Sequence, residues 1–117
     1  MSKNLTHSQI EKILRKCQTR LRLQDWHIDL KVVRKGAFND TRVAQCQYFF
    51  RNMSAVISIL DPRDNDDEVY GMQNVESTIY HELLHIILSP SWHGDSAPSE
   101  DVQEQIIEKL AKGYAGI

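Results

Sequence analysis

The chain has 117 residues, 41% of them hydrophobic and 26% charged, with a formal net charge of −2. That length and balance suit one compact domain with one core. They leave no global positive field to attract nucleic acid or an anionic membrane surface, and no stretch approaches the roughly 18 apolar residues of a bilayer-spanning helix.

Residues 6 to 22 predict a helix. Thr6 or Ser8 can cap its start, and Ile10, Ile13, Leu14, Cys17 and Leu21 recur at the helical period. Lys12, Arg15, Lys16, Arg20 and Arg22 read as its solvated face. Gln24-Asp25 breaks the pattern. Trp26, Ile28, Leu30 and Val32 then alternate, which predicts a strand over 26–33 with one buried face. Gly36 to Asp40 reads as a turn. Residues 42–50 and 55–60 are the second and third strands, the latter rich in Val and Ile. The acidic run from Asp61 to Asp67 stops the third strand and reads as a solvated loop. It lacks the glycine and terminal glutamate of a helix-loop-helix calcium site.

A long helix follows, from about Asn74 or as early as Asp67 to Leu88. Val75, Ile79, Leu83, Ile86 and Ile87 supply its core face, and Ser89-Pro90 ends it. Residues 89–98 form a loop. The last helix begins at Ser99, where Glu100 and Asp101 suit a helix N-terminus. Val102, Ile106, Ile107, Leu110 and Ala111 give its apolar stripe. The order is helix, three strands, helix, helix, which predicts an α+β domain over residues 1–117 with a small sheet packed on helices. Cys17 and Cys46 lie far apart without metal-type spacing and read as reduced, structural thiols. The N-terminal residues carry no apolar core of the secretory kind, so the expected location is the cytoplasm, with no nucleic-acid and no membrane partner.

The chemistry is concentrated in His81-Glu82-Leu83-Leu84-His85. Histidines four residues apart on a helix lie one turn apart on one face, so two ring nitrogens can reach one ion. Glu82 stands about 100° round the helix from His81. It can approach a bound metal without ligating it, and so handle the proton of a metal-bound water. The motif supplies two ligands and a general base.

Two histidines leave the protein's ligand set incomplete, because catalytic zinc takes three protein ligands and a water. His93, Asp95, Glu100 and Glu104 are the candidates for the third. His93 follows a Ser-Pro break without the glycine turn of the metzincin pattern. If the last helix folds back on the metal-bearing one, Glu104 reaches the ion, and Glu108, one turn on, supports a ligand histidine. A one-turn shift of register brings Glu100 there instead.

With Glu104-Gln-Ile-Ile-Glu108-Lys-Leu-Ala following it, the His-Glu-Leu-Leu-His motif resembles the gluzincin branch of the zincin metallopeptidases. It is most similar to the very small metallopeptidases encoded by phages and prophages. The helix–strand–strand–strand order that opens on Trp26-His27-Ile28-Asp29-Leu30 is similar to that minimal zincin core. The resemblance implies Zn2+ held by His81, His85 and Glu104, with Glu82 as catalytic base and Glu108 behind a histidine ligand. It implies a peptide or protein substrate, aligned by β-addition along residues 55–60 as an edge strand. It also implies the cytoplasm of a phage host. Larger members have a substrate-binding subdomain that this chain lacks. That difference motivates the alternative of a non-catalytic zinc-binding protein that regulates another protein. A hydrolase acting on something other than peptide is a third reading. Tyr48, Tyr70, Tyr80, His93 and Tyr114 are candidate donors to a developing oxyanion.

Overall fold

The computed structural model describes residues 5–66 and 71–117. The first helix, α1, spans His7–Arg20. Thr6 closes a capping box at its start: the Gln9 N–H donates to Thr6 Oγ1 at 3.1 Å, and the Thr6 N–H donates to Gln9 Oε1 at 2.8 Å. Ile10, Ile13, Leu14 and Cys17 face the core. The turn out of α1 places Arg22 at φ 58°. Buried Gln18 holds that turn, its amide donating to the carbonyls of Leu23 and Trp26 at 2.8 Å each. A buried amide with both donors satisfied fixes local geometry, because either loss would leave a polar group unpaired.

Three strands follow: β1 (His27–Val33), β2 (Ala44–Phe49) and β3 (Ser54–Leu60). The sheet order is β1-β3-β2, with β1 parallel and β2 antiparallel to β3. This corrects the expectation that residues 55–60 form an edge. β3 is the central strand, and β2 is the edge on the side of the site. The alternation of Ala55, Ile57 and Ile59 into the core against half-buried Val56, Ser58 and Leu60 explains the placement. β3 is the most apolar of the three segments and so takes the most protected position. The polar segment after β3 is closed by ion pairs: Asp61 with Arg63, and Asp64 with Arg34, each at 2.8 Å.

Helix α2 spans Met72–Leu88 and packs Val75, Ile79, Leu83 and Ile86 into the cluster that holds Ile28, Ala55, Ile57 and Ile59. The possibility that it starts near Asp67 lies outside the described residues. Helix α3 spans Glu100–Ala115, capped by Ser99 and closed by left-handed Gly116 at φ 78°. It runs antiparallel to α2, and the pair is pinned at both ends. Gln73 Nε2 donates to the carbonyls of Ala115 and Gly116 at 3.0 and 3.1 Å, while His81 and His85 meet Glu104 further along.

Two expectations about helix faces need correction. α3 buries only Ile107, Ala111 and Ala115, whereas Val102, Ile106 and Leu110 are 44%, 37% and 41% exposed. With one neighbouring helix, α3 has room for a narrow seam rather than a broad stripe. Ile87 likewise faces outward, 39% exposed.

Candidate metal centre

His81 and His85 project from the middle and last turn of α2 into a cleft of about 550 Å³. Its opposite wall is β2, and its open side is bordered by Glu104 and Glu108 of α3. The buried face of α2 (Ile79, Leu83, Ile86) sets the helix's rotation. The two histidines, one turn apart, then fall at the margin of the core. There the rings are part-buried, with centroids 5.2 Å apart.

His81 Nε2 stands 3.0 Å from Glu104 Oε2, and His85 Nε2 stands 3.3 Å from Glu104 Oε1. One ligand atom from each of the three residues falls within a common 4.8 Å. Ligands about 2.0–2.1 Å from a tetrahedral zinc lie roughly 3.3 Å from one another, so the donor set fits such an ion with little movement. Two imidazoles and one carboxylate are also a donor set that zinc favours. His81 Nδ1 faces Glu108 Oε1 at 3.6 Å, close enough for charge contact but longer than a hydrogen bond. The α2–α3 register set by Gln73 brings Glu104 to the histidines. Glu100, His93 and Asp95 are exposed and lie outside this donor group.

Glu82 lines the same cleft. Burial pushes its carboxyl up to about 7; the charge of Glu104 adds to the rise, and His81 and Arg42 oppose it. Burial also holds His85 below the usual imidazole range, with Glu104 opposing and His81 reinforcing the shift. That favours the neutral ring, the form that binds metal.

The β2 wall brings the oxyanion candidate Tyr48 to the cleft, together with residues that the sequence does not flag as part of a site. Ala44, Cys46 and Tyr48, on the strand face turned toward α2, line the cleft with Arg42 and Val43 just before them. Cys46, read from sequence as structural, sits close enough to Glu82 for that carboxylate to reinforce the effect of burial, and its thiol is pushed up to about 12. The period-two alternation contains this wall implicitly, but only knowledge of which strand flanks α2 makes it visible. Tyr48 is held by an edge contact with Phe50 at 5.0 Å, which in turn meets Trp26 at 5.5 Å. Of the other oxyanion candidates, Tyr80 is buried and stacks on Tyr114 at 5.2 Å, away from the cleft lining, and His93 is exposed in its loop. Tyr70 lies outside the described residues.

No helix among the described residues is long and apolar enough to cross a membrane. No protein-family model, curated protein or solved structure matches the chain, and the functional reading therefore stands on the geometry of this cleft.

Proposed function

We propose that this chain is a zinc-dependent peptidase, with the metal held by His81, His85 and Glu104 and with Glu82 as general base. The observation that carries the reading is the convergence of two imidazole nitrogens on one carboxylate, 3.0 and 3.3 Å away, in a cleft that also holds an ionisable and largely desolvated glutamate. Zn2+ bound there would polarise a scissile carbonyl and acidify a coordinated water.

The chain's own groups supply the rest. Glu82 accepts a proton from the attacking water and returns it to the departing amine. A carboxyl that lines the cleft beside the donor group is placed for both transfers. Glu108 stands beside His81 Nδ1, where its charge supports a ligand imidazole whose Nε2 faces Glu104. Among the described residues, the outer edge of β2 pairs with no other strand. An extended peptide laid along it would meet main-chain donors and acceptors.

Glu82→Gln decides the assignment. The variant retains zinc at the stoichiometry of the parent, and cleavage of a fluorogenic peptide library falls by about 10²- to 10⁴-fold. Metal loss in this variant, or undiminished cleavage, contradicts the role of Glu82. His81→Ala and His85→Ala each release zinc, read by metal analysis of the purified protein.

A second reading, a zinc-holding protein that acts by binding another protein, draws on the exposed apolar residues Val102, Ile106 and Leu110 of α3. It expects partner capture to survive Glu82→Gln and to be lost in Ile106→Asp.

A further inference from the structure

We propose that Arg42 forms a carboxylate-binding subsite in the cleft, so that the preferred ligand carries a carboxylate at a set distance from the group presented to the metal. The inference rests on the metal-centre reading above and adds a substrate class to it. Among the described residues that line the cleft, Arg42 is the one lysine or arginine, in a wall that also holds Glu82, Glu104 and Glu108. Away from the metal, a carboxylate on a ligand is repelled by these acidic groups and attracted at Arg42.

The guanidinium is already oriented for that task. Its Nε and Nη2 donate to Asp40 at 2.9 and 2.8 Å, and Nη1 donates to Gln45 Oε1 at 3.0 Å. Those bonds use three of the five N–H groups and leave one on each terminal nitrogen. Either can donate a charge-assisted hydrogen bond to a ligand carboxylate. Its position in the cleft follows from the wall it belongs to. That wall runs from Arg42 through β2 to Tyr48, so Arg42 stands at one end of it. A ligand that presents a group to the metal can therefore meet Arg42 at one end only, at a spacing that its chain length sets.

The test titrates the zinc-loaded protein, by calorimetry, with acetohydroxamate, with the monohydroxamates of succinate, glutarate and adipate, and with the methyl esters of those three. The hydroxamate reports the metal, and the difference between acid and ester reports Arg42. One chain length is expected to bind about tenfold tighter as acid than as ester. That gain vanishes in Arg42→Gln, while acetohydroxamate binds parent and variant alike. Asp40→Asn, which removes the competing carboxylate, enlarges the gain. Two dipeptide-length hydroxamates separate the sources. One ends in a free α-carboxylate, and the other is amidated but carries a glutamate side chain. A gain for either supports the subsite and identifies the source. Equal binding of acids and esters at every length overturns the subsite and leaves the metal centre standing. So does a gain that survives Arg42→Gln, or an equal loss of acetohydroxamate binding in that variant. Failure of acetohydroxamate to bind the parent protein overturns both.

Discussion

Glu100, Glu104 and Glu108 stand one turn apart along α3, and their roles follow from register alone. Glu104 touches both histidines, Glu108 faces the far nitrogen of His81, and Glu100 lies outside the group. Alanine at each position should therefore give three different results in a competition assay against a chelator. Glu104→Ala removes a ligand and gives the largest loss of zinc affinity. Glu108→Ala weakens zinc by about 10- to 100-fold. Glu100→Ala leaves it unchanged. Equal effects at 100 and 104 would mean that the register is wrong. The raised pKa of Glu82 has its own signature in the metal-free protein. A carboxyl with a folded-state pKa near 7 and an unfolded one near 4.5 holds a proton in the folded state across that window. Stability contributed by Glu82 is thus present below 4.5 and falls as pH climbs toward 7, by up to about 1.4 kcal/mol per pH unit. Chemical denaturation at stepped pH should show Glu82→Gln gaining on the parent across this interval and keeping a constant lead above it. A lead that does not change with pH would mean that Glu82 is solvated like an ordinary surface carboxylate.

At the scale of elements, the helices and strands were legible from periodicity and caps. Thr6, Ser99 and the Ser89-Pro90 stop fall at or within one residue of helix ends, and the three strand segments match within two residues. The two histidines and Glu82 were legible because their spacing along one helix is itself the geometry. Strand order was not, because alternation says which residues face inward but not which strand lies between the others. The β2 wall of the cleft, with Arg42 and Cys46, stayed hidden for that reason. The stripe on α3 contained Ile107 and Ala111 of the buried seam but could not be narrowed to them, since 102, 106 and 110 are as periodic as 107, 111 and 115. The distinction has a measurable cost. Ile107 is fully buried, so Ile107→Ala should destabilise by about 2–4 kcal/mol, whereas Ile106→Ala, at 37% exposure, should stay below about 1 kcal/mol. Denaturant midpoints that reverse this order would place the other face of α3 against α2.

For the molecule as a whole, the group of His81, His85 and Glu104 joins two consecutive helices that otherwise share a narrow buried seam. Gln73 secures one end of the α2–α3 pair, and the group of His81, His85 and Glu104 secures the other. α3 contributes only Ile107, Ala111 and Ala115 to the core, so its docking depends more on these polar ends than a broadly buried helix would. Without a cation, Glu104 and Glu82 share the cleft, and repulsion from Glu104 raises the cost of ionising Glu82. A divalent ion relieves that repulsion and ties α3 down in one step. Binding to the folded state alone adds about 4 kcal/mol when free zinc is a thousandfold above its Kd. In a domain of this size that corresponds to a rise in Tm of roughly 12–25 °C. Zinc should thus raise the thermal midpoint of the parent strongly, a chelator should reverse the rise, and magnesium, which prefers an oxygen-rich octahedral shell, should not reproduce it. In His85→Ala the zinc-dependent rise should collapse. Because α3 is the element being secured, amide exchange should slow most over residues 100–115 when zinc is added. A parent protein whose midpoint and α3 exchange ignore zinc would show that these three side chains meet without forming a metal centre.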